Sequence, residues 1–209
     1  MLNYLNDNRK EFVIFCILLS CSVVFLIVYF CGGWRWLEPI SYKLQKPEST
    51  NIIWMKFLLI RWEVLVLIIL ALLVGTELIF RVGLRFARFR MAFFVITTMA
   101  ISAVVLYIAK VTIAKVRPIT SERYPHIKDS LPSGHTMMVT VIFVSLAILG
   151  FKNNFYLLGV LAFVPPIVMA CSRVVAGEHF VDDIIAGWLF GITCVVGVHL
   201  LYFYYVPYL

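Results

Sequence analysis

The sequence predicts an all-α protein, a polytopic membrane helix bundle with six transmembrane helices. Three observations lead there. Apolar residues make up 63% of the 209 and charged residues only 14%, whereas an ordinary soluble domain is about a quarter charged. Uncharged runs occur at Phe12–Trp34, Met91–Ala109, Ser130–Phe151, Asn153–Ser172 and Ile184–Leu209, each as long as the roughly 18 to 20 apolar residues that cross a bilayer. A further run, Val64–Phe80, is interrupted only by Glu77. These spans consume most of the chain, so 1–209 is expected to be a single integral-membrane domain with no separate soluble domain.

The first run follows Arg9 and Lys10 as the core of a signal peptide would. It is longer than an ordinary signal core, however, and Cys31-Gly-Gly-Trp-Arg follows it instead of a small-x-small cleavage site, so it is expected to be a membrane helix. The long connection Gly33–Glu63 mixes Trp34, Trp36, Trp54 and Trp62 with Lys43, Lys46, Lys56 and Arg61, the composition of a headgroup-level belt. Its Asn51–Trp62 part is expected to lie as a helix on the membrane surface. After the second span come Arg81, Arg85, Arg88 and Arg90, four arginines in ten residues, which predicts a cytoplasmic loop. Both termini are then inside, and Cys31–Glu63, Lys110–Leu131 and Ser172–Asp183 are outside. Inside loops carry seven Lys/Arg and outside loops eleven of the eighteen, so the orientation follows charge density and not charge number.

In the later spans, Pro165-Pro166 predicts a kink and Gly187-x3-Gly191 a close helix approach, within the chain. The cysteines are odd in number, and Cys16, Cys21, Cys171 and Cys194 lie in apolar runs, so no disulfide framework or Cys-rich metal site is expected. The net charge of +7 has no folded soluble face to sit on. It points to lipid headgroups and topology, with no nucleic-acid partner.

The informative feature is where polar residues cluster. Lys110 and Arg117-Pro118 follow the third span, Pro132-Ser133-Gly134-His135 opens the fourth, Ser172-Arg173 closes the fifth, and His179 and Asp183 precede the sixth. Antiparallel helices would bring all of them to one membrane face. Three cations, two histidines and one carboxylate then converge on one shallow site. Lys110, Arg117 and Arg173 have the chemistry to hold phosphate oxygens and the charge that spreads over them during transfer. Ser133 suits a helix N-cap and Gly134 allows close backbone approach, which makes the first turn an anion cradle. His179 and Asp183 are spaced i, i+4, so the carboxylate can fix one imidazole nitrogen and leave the other as a nucleophile. His135, on another helix, is free to act as general acid on the leaving oxygen.

Lys110-x6-Arg117-Pro118, Pro132-Ser-Gly-His135 and Ser172-Arg173-x5-His179-x3-Asp183 resemble, in order and spacing, the three-part signature of the type 2 phosphatidic acid phosphatase (PAP2) superfamily, in its membrane branch. The resemblance implies that His179 becomes phosphohistidine, Asp183 orients it and His135 protonates the leaving group. Lys110, Arg117, Ser133, Gly134 and Arg173 would hold the phosphate. It also implies a lipid phosphatase needing no metal or other cofactor, and the sequence offers no carboxylate cluster suited to magnesium.

Other polar residues receive plainer readings. Asp182, about 100° from Asp183 on a helix, is expected to be solvated or capping. Glu77 is expected to pair with Arg81, and His199 to be a helix-packing hydrogen bonder. His126 and Tyr124 lie in the loop between the first two motif parts, within reach of a headgroup. The expected substrate is a membrane lipid in the bilayer: undecaprenyl diphosphate, lipid A, phosphatidylglycerol phosphate or phosphatidate, the first two favoured by the short loops and small size. No obligate protein partner is inferred. Alternatives are a lipid-to-lipid phosphotransferase of the lipid A type and a catalytically silent lipid-binding or transport protein, against which the intact His/Asp set argues. The expected location is a bacterial inner membrane with the site on the periplasmic face.

Overall fold

The computed structural model describes residues 9–46, 87–118 and 128–205. Among the described residues the chain forms only helices: α1 (Arg9–Phe30), α2 (Leu37–Leu44), α3 (Ala87–Ile113), α4 (Gly134–Lys152), α5 (Tyr156–Leu161), α6 (Val164–Val175) and α7 (Val181–Tyr205). Five segments are long and apolar enough to cross a membrane: α1, Phe93–Ile113 of α3, α4, Tyr156–Val175 spanning α5 and α6, and Val181–Tyr202 of α7. The chain is therefore a multi-pass membrane protein. The expected Val64–Phe80 span, the Asn51–Trp62 surface helix, the Glu77–Arg81 pair, and Tyr124 and His126 lie outside the described residues.

α4 is the hub. Thr136, Met137, Met138, Val139, Thr140, Val141 and Ile142 are each 1% exposed or less, and seven successive residues cover every side of a helix. Its neighbours are α7, α3, α6 and α5, and α7 also packs on α1 and α3. α1 is the opposite case. Val13, Ile14, Ile17, Leu19, Val23, Val24 and Ile27 stand exposed over most of its circumference, an apolar surface suited to lipid. Its Ser22 is buried and its hydroxyl meets that of Thr193 on α7 at 3.1 Å.

The α4–α7 crossing is close because α7 presents glycines. A Cβ at Gly187 would sit 3.1 Å from the Ser133 carbonyl oxygen, and one at Gly191 3.1 Å from that of Met137. The small-residue pair thus packs within the chain, as expected. The fifth span is broken into α5 and α6, with Pro165 and Pro166 at the start of α6, where a missing N–H leaves no helical bond unmade. His199 packs between helices, edge-on to Phe94 of α3 and with Nδ1 3.8 Å from Glu11 Oε2 on α1, a separation longer than a hydrogen bond.

Two helix ends differ from the uncharged runs. α4 begins at Gly134, not Ser130, since Pro132 biases Leu131 away from helix. α7 begins at Val181, before the run at Ile184, because Asp182 and Asp183 fit the first turn, where the helix dipole favours carboxylates. A short surface segment, α2, braces the entry to α7. Its Ser41 hydroxyl accepts from the Val181 N–H at 3.0 Å, and the Lys46 N–H donates to the Val175 carbonyl.

Candidate active site

The end of α3, the start of α4, the end of α6 and the start of α7 meet at one face of the bundle, and every expected site residue lies there. Lys110 is in the last turn of α3, Ser133 caps α4, Gly134 and His135 open it, and Arg173 is in the last turn of α6. His179 and Asp183 bracket the start of α7. The Ser133 N–H donates to the Asp183 carbonyl at 3.0 Å, and the Gly134 Cα faces the Lys110 side chain, with Cε 3.7 Å from where a Cβ would stand. His135 feels the charges of Arg173, His179, Arg117 and Lys110.

The Arg173-x5-His179 spacing has a local cause. Gly177 adopts φ 73°, the left-handed conformation that glycine takes without steric penalty. The Glu178 N–H returns to the Arg173 carbonyl, and the Gly177 N–H to that of Val174. This pair of bonds is a Schellman cap, and it fixes the backbone of Glu178, next to His179, on Arg173. At the end of α3, Ala114 is also left-handed, with φ 48°. Just beyond it, the Lys115 carbonyl accepts from the Ser130 N–H at 2.9 Å. Lys115 is thereby turned toward α7.

The His179 side chain is 1% exposed and Asp183 fully buried. The Nδ1 atom lies 3.5 Å from Asp183 Oδ2 and 3.5 Å from Ser130 Oγ. Asp183 Oδ2 also accepts from the Ser130 hydroxyl at 2.5 Å and the Phe180 N–H at 2.9 Å. Its Oδ1 accepts from Lys115 Nζ at 2.8 Å. With Nδ1 taken up by this side, Nε2 is the nitrogen left for chemistry. Burial pushes the His179 pKa down, against the opposing pull of Asp183, which favours the neutral imidazole a nucleophile must be.

The cations are not bare. Arg117 places Nε and Nη2 on the two oxygens of Asp129 at 2.7 and 3.2 Å, and Nη1 on Glu178 Oε2 at 3.1 Å. Lys110 Nζ donates to the Asp129 carbonyl and, at 3.2 Å, to its Oδ2. Burial would raise the Asp129 pKa, but Arg117 and Lys110 hold it at about 2. Arg173 is 3% exposed. Ser133 stands at the N-cap, yet its side chain makes no cap bond and its oxygen instead accepts from the Thr136 hydroxyl at 3.1 Å. The first N–H groups of α4 have no acceptor within the helix and are the donors that the expected anion cradle would use.

Two expectations are corrected. Asp182 is not solvated: it is 3% exposed and bound to Lys115 Nζ at 2.6 Å. The single expected carboxylate has three companions, Asp129, Glu178 and Asp182. Lys115, Ser130, Asp129 and Glu178 were not singled out from sequence. Lys115 carried a usable signal, as a third cation between Lys110 and Arg117 in a segment leaving the membrane. Ser130 and Glu178 carried none, because their roles depend on loop conformation.

Residues 91–207 match the PAP2 superfamily; the chain belongs to that superfamily and is an integral-membrane phosphoric ester hydrolase. Its structure is similar to the crystal structure of a transmembrane PAP2-type phosphatidylglycerolphosphate phosphatase from Bacillus subtilis, with a TM-score of 0.69, 18% identity, and 96% of this chain and 98% of that chain covered. No curated protein matches the chain.

Proposed function

We propose that residues 1–209 form one domain that hydrolyses a phosphomonoester, or the terminal phosphate of a diphosphate, on a membrane lipid through a phosphohistidine. The observation that supports this best is the buried His179, held at Nδ1 by Asp183 and facing the charges of Lys110 and Arg117, with His135 nearby on a separate helix.

Nε2 of His179 attacks phosphorus while the bond to the leaving oxygen breaks, and His135 gives that oxygen its proton. Lys110, Arg117, Arg173, Ser133 and the N–H of Gly134 hold the phosphoryl oxygens, and Asp183 stabilises the cationic imidazole. Water then attacks phosphorus, His135 takes its proton, and the P–N bond breaks to release inorganic phosphate. No step in this scheme calls on a metal. The expected location remains a bacterial inner membrane, termini cytoplasmic and site periplasmic. Labelling of a single cysteine at the exposed Lys128 by an impermeant thiol reagent in intact spheroplasts, with the native cysteines replaced, tests this. Labelling only after lysis reverses the topology.

The deciding experiment is phosphate release by purified protein in detergent from undecaprenyl diphosphate, lipid A, phosphatidylglycerol phosphate and phosphatidate. Release from at least one, persisting in excess chelator and inhibited by vanadate, is expected, since vanadate takes the five-coordinate shape of the transferring group. Phosphate appearing on an added lipid acceptor in place of water identifies a phosphotransferase. Binding without turnover identifies a silent lipid-binding protein.

A further inference from the structure

Behind the Nδ1 side of His179, two residues outside the signature hold the carboxylate that orients it. Lys115 Nζ lies 2.8 Å from Asp183 Oδ1 and 2.6 Å from Asp182 Oδ2. It also sits 4.4 Å from the centroid of the Phe180 ring, a cation–π distance. All three charged side chains are at most 10% exposed. Buried charges are stable only when paired, and here one cation serves two anions. Burial by itself would lower the Lys115 pKa, but the two carboxylates outweigh it and raise the value, so Lys115 is charged.

A carboxylate can turn about its last torsion, which is soft. For Asp183 that freedom is removed from both ends, by Lys115 on Oδ1 and by Ser130 and the Phe180 N–H on Oδ2. Charge is matched as well. Lys115 with Asp183 alone would be neutral, leaving a cationic imidazole uncompensated beside Lys110 and Arg117, whose charges already reach His179. Asp182 brings the trio to one net negative charge, equal and opposite to that imidazole. We propose that Lys115 and Asp182 are positioning residues for the nucleophile: Lys115 locks the Asp183 carboxylate on His179, and Asp182 balances the charge that phosphoryl transfer puts on the ring. This deepens the phosphatase assignment above and rests on it.

The fold gives a way to test charge separately from folding. Lys115 and Asp182 line a cavity of about 740 Å³ that is also walled by Tyr29, Arg35, Tyr42 and Phe180. A small alkylammonium ion can therefore reach the place of a truncated Lys115 side chain.

The experiment uses the full chain in detergent with a lipid from which the wild type releases phosphate. Lys115→Gln is expected to lower kcat about 10- to 100-fold, the range seen for outer partners that orient a working histidine. KM and inhibition by inorganic phosphate, which read the clamp, should stay within about threefold. Lys115→Arg should restore part of kcat, and propylammonium should restore part of it in Lys115→Ala but not in the wild type. The near-isosteric Asp182→Asn should lower kcat about tenfold with KM unchanged, and it decides the matter if the Lys115 variants do not fold. Unchanged kcat in both Lys115→Gln and Asp182→Asn overturns the proposal, as does a loss expressed in KM with kcat intact, which would make Lys115 a substrate ligand. A wild type that releases phosphate from none of the lipids refutes the phosphatase assignment itself, and this proposal with it.

Discussion

The two sides of His179 use the same residue types and hold them differently. On the Nδ1 side, Asp183 is fully buried and tied to Lys115, Ser130 and the backbone of Phe180, none of them more than a tenth exposed. On the phosphate side, Arg117 and Lys110 share Asp129, whose side chain is 35% exposed. Exposed pairs contribute little and exchange readily, whereas breaking a buried pair strands a charge. One side is therefore closed by buried bonds, whereas on the other Arg117 and Lys110 share a partly exposed carboxylate that a phosphate would replace, with the buried Glu178 keeping its hold on Arg117. On the proposed function, the nucleophile would be oriented before substrate arrives, and substrate would bind by displacing Asp129 from the cations.

The largest effect should come from breaking the fixed side. Asp183→Asn keeps the shape but removes the charge that stabilises the cationic ring, and kcat is expected to fall about 10²- to 10⁴-fold, the range of a lost acid–base contribution. The pH profile gives the sign. Burial already lowers the His179 pKa below the ordinary 6.5, so the acid limb of kcat/KM should lie below that pH in the wild type. Because Asp183 pulls the other way, its neutralisation should move the limb lower still. A limb that moves upward contradicts this electrostatic role.

The next effect falls on the exchangeable side. Arg117→Lys keeps the charge but loses the fork that grips two oxygens at once, and KM should rise about tenfold, the equivalent of roughly 1.4 kcal/mol, with a smaller change in kcat. Equal losses in kcat and kcat/KM would instead place the fork's contribution in the transition state alone. The smallest effect is expected at Asp129. With its pKa held at about 2 it stays ionised at working pH, and Asp129→Asn removes the anion that substrate must displace. Inhibition by inorganic phosphate should tighten by a few-fold, about the strength of an exposed ion pair. Weaker inhibition would show that Asp129 orients the cations more than it competes for them.

Fold class and site were legible to different depths. Membrane helices announce themselves through length and lack of charge, and the four helix ends could be placed on one face from their alternation alone. The break ahead of Pro165-Pro166 and the glycine contacts of α7 followed from backbone chemistry. Asp182 was misread because helical angle separates it from Asp183 only if nothing lies between them; Lys115, reaching in from a left-handed turn at Ala114, joins both. Asp129 and Glu178 were missed for a related reason, since their pairing with Arg117 spans loops whose course no local periodicity encodes.

The central claim is that His179 carries the phosphoryl group while His135 serves the leaving oxygen. Its most direct test is rapid acid-free quenching of the purified enzyme with phosphate-labelled lipid, followed by assay for acid-labile, base-stable label on the protein. Wild type should be labelled, His179→Ala should carry none, and His135→Ala should still acquire label slowly from a substrate whose leaving group needs little protonation. Label retained in His179→Ala and lost in His135→Ala would invert the two roles. An efficiently quenched wild type with no label at all would replace the covalent route by direct attack of water.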